Sequence, residues 1–203
     1  MKSILITIAL LVSGLAYGQT AEEYFNRALD KEELEDYRGA ITDYSKAIGL
    51  NPEVNVGGAS YLNRGLCKTK LEDYRGAIVD FSKAIELKPN FAEAYMNRSK
   101  YKTALEDYRG AITDYSKAIG LNPNFALAYM NRGSVKIVLE NYRGAIADFS
   151  KAIELDPNFA EAYYNRGLSK LKLGKKDEGC MDLSKAGELG YYQAYDMIKK
   201  YCN

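Results

Sequence analysis

The chain has 203 residues, 47% hydrophobic and 27% charged, with 28 Lys and Arg against 27 Asp and Glu. A formal charge of +1 with no basic block leaves no electrostatic patch of the kind that nucleic-acid binding requires. The chain has no His, which removes the commonest general base and the commonest zinc ligand.

The first 18 residues read as an export signal outside the fold. Lys2 gives a short basic start, residues 4–15 form a nearly apolar run, and Ala16-Tyr17-Gly18 offers small residues at cleavage spacing before Gln19. The alternative is an uncleaved membrane anchor, for which the run is short, since a spanning helix needs about 20 residues. No Cys follows the run directly, so bacterial-type lipidation is not expected there. Cleavage would remove Lys2 and no acid, leaving a mature chain with equal numbers of basic and acidic residues and a secreted or periplasmic address.

Beyond residue 19 one phrase returns. Leu-Glu-Asp-Tyr-Arg-Gly-Ala-Ile begins at Leu34, Leu71 and Leu105, and Leu-Glu-Asn-Tyr-Arg-Gly-Ala-Ile begins at Leu139. Pro52, Pro89, Pro123 and Pro157 close the copies, the later ones at 34-residue steps. A fixed period of this size means stacked supersecondary units. Each unit reads as two helices. In residues 90–123, Asn90 is expected to cap a first helix with Glu93 completing a capping box. That helix is expected to end near Leu105. Asp107 then caps a second helix over residues 108–121, in which Ala111, Ile112, Tyr115, Ala118 and Ile119 recur at helical spacing.

These features resemble the tetratricopeptide repeat family. Tyr24, Tyr61, Tyr95, Tyr129 and Tyr163 take its aromatic place; Gly65, Gly133 and Gly167 keep its small residue, replaced by Ala28 and Ser99. Ala40/Tyr44, Ala77/Phe81, Ala111/Tyr115 and Ala145/Phe149 match its second-helix signature. The resemblance covers roughly residues 21–191. It implies an all-α fold, a right-handed superhelical solenoid of about five helix-turn-helix repeats. These fall at about 21–57, 58–91, 92–125, 126–159 and 160–191 within a repeat domain over 19–191, followed by a capping helix in 192–203. Two departures recur: Arg27, Arg64, Arg98, Arg132 and Arg166 stand where the family has Leu, and Lys31, Lys68, Lys102, Lys136 and Lys170 where it has a second Tyr. Residues 53–60, with three extra residues and Gly57-Gly58, are expected to form a flexible seam.

No Gly-rich phosphate loop is present, because the Arg-Gly-Ala steps lie inside helices and lack P-loop spacing. Acid pairs such as Glu35-Asp36 recur in the early copies, as helix starts do and catalytic sites seldom do. No enzyme, cofactor or metal is expected.

Residues that recur in every copy serve a scaffold or a repeated contact; those that vary tune a ligand. Arg is followed by Asp sixteen residues on: Arg27/Asp43, Arg64/Asp80, Arg98/Asp114, Arg132/Asp148 and Arg166/Asp182. A partly buried bridge in each repeat is expected, against the alternative of separate surface charges. Asn26, Asn63, Asn97, Asn131 and Asn165 precede those arginines. The resemblance places them on the concave groove as a ladder that both donates to and accepts from a peptide backbone; otherwise they bond neighbouring helices. Beside the ladder stand Phe25, Leu62, Met96, Met130 and Tyr164. Leu29, Leu66, Lys100, Ser134 and Leu168 are further groove candidates, with Ile137 and Leu171 deeper along the helices. This is an expected apolar floor with adaptable Met, or simply packing between first helices.

Three cysteines remain outside the leader. Cys67 reads as a small core residue. Cys180, in the last repeat, and Cys202, at the end of the cap, either form a disulfide in an oxidising compartment or stay as two thiols. The expected function is a non-enzymatic interaction scaffold that binds a polypeptide segment in its groove after export. The alternatives are a module that self-assembles through its stacking faces and an accessory subunit of an envelope complex.

Overall fold

The computed structural model describes residues 19–52 and 56–202; the expected export signal at 1–18 lies outside the described residues. Its regular elements among these residues are eleven helices: α1 (Ala21–Glu33), α2 (Tyr37–Leu50), α3 (Val56–Lys70), α4 (Tyr74–Leu87), α5 (Ala92–Ala104), α6 (Tyr108–Leu121), α7 (Ala126–Val138), α8 (Tyr142–Leu155), α9 (Ala160–Lys172), α10 (Lys176–Glu188) and α11 (Gln193–Tyr201). The fold is all-α.

The second helices begin where the repeated phrase dictates. Asp36, Asp107 and Asn141 accept hydrogen bonds from the backbone N–H of Gly39, Gly110 and Gly144 at 2.9–3.0 Å. A Cβ on Gly39 would stand 2.0 Å from the Asp36 carboxylate. Glycine three residues after the cap therefore lets the capping oxygen reach its N–H. Ala40, Tyr44, Ala47 and Ile48 then bury one stripe of α2, and the equivalent residues do so in α4, α6 and α8.

The first helices begin differently from expectation. Phe91 precedes α5 and makes no side-chain cap, so Asn90 and Glu93 form no capping box. Residues 88–91 instead form a turn in which Phe91 N–H donates to the Lys88 carbonyl at 3.0 Å, and Asn90 accepts from Ala92 only through its backbone. In the next two copies the ordering side chain stands two residues earlier. Asn122 Oδ1 accepts from Asn124 N–H at 3.2 Å, and Asp156 Oδ1 from Asn158 N–H at 3.0 Å. The side chain before each proline thus orders the turn around it.

The chain divides into two compact units, one ending at Asp73 and the other beginning at Tyr74. The first holds α1, α2 and α3, packed in sequence around Ala28, Ala40, Tyr44 and Cys67. Gly57 and Gly58 are not part of a flexible link: both are buried in the first turn of α3. A Cβ on Gly57 would lie 2.6 Å from the Pro52 carbonyl, so a close backbone approach requires glycine there. The second unit holds α4 to α11, each helix packed on the next. Its core runs from Met96, Tyr115 and Val135 through Met130, Phe149 and Ile153 to Leu183, Ala186 and Ala194. The last of these belongs to α11, which covers the end of the α9–α10 pair.

Candidate functional site: a polar ladder beside two cavities

One side of α1, α5, α7 and α9 carries an ion cluster. Arg98 donates to both oxygens of Asp114 through Nε and Nη2, each at 2.7 Å. Arg132 holds Asp148 at 3.0 and 2.7 Å, Arg166 holds Asp182 at 2.8 and 2.7 Å, and Arg27 holds Asp43 at 2.7 and 2.5 Å. A lysine four residues after each Arg completes the cluster: Lys31, Lys102, Lys136 and Lys170 lie 2.7–2.9 Å from the same carboxylates. The sixteen-residue spacing marked each Arg and its Asp; that a lysine shares the same carboxylate was not legible, because the lysine's partner lies on the other helix of the pair. The acids are buried, so two cations and two-pronged geometry offset their desolvation. Asp43 shows the effect: the Arg27 bond, opposed by burial and helped by Lys31, holds its carboxyl at about 2. Arg64 lies half-buried on α3 and Asp80 is buried on α4.

The same arginines tie successive helix pairs together. Arg98, Arg132 and Arg166 each donate Nη1 to a serine of the preceding second helix, Ser82, Ser116 and Ser150, at 2.9–3.1 Å. In the first unit Arg64 makes this bond to Ser45 at 2.9 Å. Each guanidinium also lies over the tyrosine three residues earlier, from Arg27 on Tyr24 at 4.7 Å to Arg166 on Tyr163 at 5.4 Å. With all three nitrogens bonded and one face covered, Arg98, Arg132 and Arg166 are scaffold.

The asparagines lie on the other side of the first helices and are not equivalent. Asn26 is exposed on α1; Asn63, Asn97, Asn131 and Asn165 are half-buried. Asn63 Nδ2 donates to the Tyr44 hydroxyl at 3.3 Å. Asn131 meets the Tyr115 hydroxyl, which Ser99 and Thr103 also approach; burial pushes that phenol up and these bonds pull it down. Asn97 and Asn165 follow Phe81 and Phe149, which have no hydroxyl, and their amides make no side-chain hydrogen bond among the described residues. The Tyr–Phe–Tyr–Phe order at 44, 81, 115 and 149 is present in the sequence and would have revealed this alternation.

Two cavities adjoin Asn131 in the second unit. One, of about 250 Å³, is lined by Lys100, Thr103, Tyr115, Asn131, Ser134 and Val138. The other, of about 400 Å³, is lined by Glu93, Met96, Asn97, Lys100, Leu127 and Asn131. Lys100 and Asn131 are common to both. The expected apolar floor needs correction. Leu62 and Met130 are core residues, 5% and 2% exposed, and Met96, 7% exposed, shows only its edge at the bottom of the larger cavity. The two methionines point between helices because α5 and α7 each pack on both neighbours. Tyr164 packs on Tyr191, ring centroids 4.7 Å apart. Phe25 is half-buried against Tyr44, Leu29 is exposed, and Leu66 is half-buried on α3. Ile137 packs on the α8 core, while Leu168 and Leu171 face a third cavity at the end of the chain.

The cysteines separate by environment. Cys180 on α10 and Cys202 just after α11 form a disulfide. Cys67 is buried and donates to Glu32 Oε1 at 3.1 Å; burial first, then this carboxylate, pushes its thiol up, so it stays protonated and inert. No cluster of metal-ligating side chains occurs among the described residues, and no helix there is long and apolar enough to cross a membrane.

Family models for tetratricopeptide repeats match residues 21–54 and 160–189, residues 58–91, and residues 102–136 and 139–174. The crystal structure of MamA superposes with a TM-score of 0.76 at 28% identity, covering 83% of this chain and 96% of that chain. YrrB, a TPR protein with an unusual peptide-binding site, gives 0.78 at 23% identity, covering 89% and 92%. A tetratricopeptide repeat protein from Parabacteroides merdae gives 0.65 at 20% identity, covering 92% and 100%. No curated protein matches the chain.

Proposed function

The chain belongs to the tetratricopeptide repeat family, and from that premise we propose that it is a non-enzymatic scaffold holding an extended polypeptide segment across α5 and α7. The fold itself is that of a protein–protein interaction module. The observation that carries the finer reading is the pair of adjoining cavities that share Lys100 and Asn131, with the unbonded amide of Asn97 on the wall of the larger one. An unbonded amide offers one acceptor and two donors to a peptide backbone. The cavities on either side accept side chains, with Leu127 and Val138 as exposed apolar edges. YrrB shows that a peptide-binding site is within reach of this fold.

The two rungs have different parts in this reading. Asn97 is free to bind at once, whereas Asn131 is partly committed to Tyr115 and acts mainly by shaping the partition between the cavities. Export completes the proposal: residues 1–18 direct the chain out of the cytoplasm into an oxidising compartment, in which a Cys180–Cys202 bridge is at home. Mass spectrometry of the native protein is expected to find Gln19 at the N-terminus.

Panning a short-peptide display library against the purified protein tests the groove. Peptides that bind should crosslink to a photoreactive group at position 100. Asn97→Ala should weaken them by about tenfold, in line with roughly 0.5–1.5 kcal/mol for a hydrogen bond. The added Asn131→Ala change should cost less. Bound peptides that are indifferent to both changes and crosslink elsewhere would sink the groove assignment.

A further inference from the structure

The turn between α1 and α2 and the cavity beneath α11 have complementary surfaces. At 79% exposure, Leu34 is the most exposed large apolar side chain among the described residues. Its counterparts Leu71, Leu105, Leu139 and Leu173 are 37–44% exposed. Asp30, Glu33, Glu35 and Asp36 surround it, all exposed. Lys31, three residues before it, is taken up by Asp43 at 2.8 Å, and Arg38, four residues after it, is exposed on the first turn of α2. The turn is rigid: Glu35 N–H donates to the Glu32 carbonyl at 2.9 Å and Asp36 N–H to the Lys31 carbonyl at 2.8 Å, with Glu35 held at φ +57°. A leucine fixed on such a turn loses little conformational freedom when it binds.

The receiving surface is a cavity of about 450 Å³ lined by Leu168, Leu171, Met197, Tyr201, Lys172 and Lys176. Its floor is apolar. Its rim is cationic, because Lys172 and Lys176 are exposed and make no ion pair among the described residues. The fifth copy of the repeated phrase reads Leu-Gly-Lys-Lys where the others read Leu-Glu-Asp-Tyr or Leu-Glu-Asn-Tyr, so the sign of this turn is inverted in this copy alone. The wider charge follows the same division. Residues 19–73 carry eleven acids and seven bases, while residues 160–203 carry eight bases and six acids.

We propose that the acidic turn bearing Leu34 of one molecule docks in the lysine-rimmed cavity of a second copy, with Leu34 in the apolar floor and Glu33 and Glu35 against Lys172 and Lys176. The two surfaces are different, so the contact is heterologous and each added molecule presents a fresh Leu34 turn and a fresh cavity. The product is a head-to-tail series, a ring or an open chain according to the rotation between neighbouring copies. Paired surface charges set its register and make it salt-sensitive. This contact shares no residue with the two cavities across α5 and α7.

Sedimentation equilibrium of the purified protein tests it. The wild type should associate in steps with rising concentration, and added salt should reverse the association. Leu34→Lys alone, and Lys172→Glu with Lys176→Glu, should each be monomeric with unchanged circular dichroism. Mixed in equal amounts, the two variants should give a dimer and nothing larger, because the first keeps an intact cavity and the second an intact turn. Glu33→Lys with Glu35→Lys should restore assembly to the Lys172→Glu, Lys176→Glu chain. A wild type that stays monomeric at all concentrations would overturn the proposal. So would variants that associate as the wild type does, or a mixture that remains monomeric.

Discussion

Helix α7 has two sides with opposite histories of repetition. On one, Arg132 and Lys136 grip Asp148 in an arrangement that recurs at Arg27, Arg98 and Arg166 with nearly the same distances. On the other, Asn131 stands beside the Tyr115 hydroxyl, while Asn97, one repeat earlier on α5, has only Phe81 before it in the chain and keeps a free amide. The invariant side closes on itself and leaves no group for a partner. The alternating side leaves cavities and an unbonded amide. Recurrence marks what holds the fold, and broken recurrence marks what is open to a ligand.

The widest gap between the two sides should appear on removing one carboxylate. Asp148→Ala strands Arg132 and Lys136 beside a buried site and should cost about 3–5 kcal/mol in urea unfolding. A loss below about 1 kcal/mol would place the cluster among ordinary surface pairs. The unfolding is expected to involve several repeats, since each cluster is bonded through serine to its neighbour.

Acid should loosen the Asp43 cluster more gently. The folded value of Asp43 is about 2, below its unfolded value near 3.9. Its stabilisation is therefore complete above pH 4 and lost as pH falls through about 2. The loss is on the order of 2 kcal/mol for this group alone. Thermal unfolding followed from pH 5 to pH 2 should show a steep decline that Asp43→Asn abolishes at this site; a flat profile would contradict the cluster.

The smallest effect should sharpen the comparison most. Tyr115→Phe converts the site beside the hydroxyl into the free kind. It should cost about 1 kcal/mol, because Ser99 and Thr103 already donate to backbone carbonyls at 2.7 and 2.9 Å. The Asn131 side-chain amide should then exchange with solvent as fast as that of Asn97. Unchanged protection of Asn131 would show that the hydroxyl is not what holds it.

Much of the fold was legible because its signals are local. The caps at Asp36 and Asp107, the buried stripe of each second helix and the 34-residue step all depend on neighbours within one turn of helix. Failures came where the outcome depended on chain geometry or distant partners. Asn90 has a capping side chain, but the turn around Pro89 starts the helix one residue beyond its reach. Gly57 and Gly58 look like a hinge, yet the approach of the Pro52 carbonyl makes them a contact. Met130 has the composition of a ligand floor, but two flanking helices cover it. Lys136 was visible as a departure from the family pattern, and only its distance to Asp148 explains it.

The bridge between Cys180 and Cys202 also decides how the molecule bears mechanical tension. A pull applied at the C-terminus enters the fold at Cys180, through the sulfur link, and bypasses α11 altogether. The 22-residue separation between the two cysteines holds roughly 70–80 Å of extended chain that no stretching force can pay out while the bond is intact. Under load the cap is carried as slack, and the first helix to feel the strain is α10.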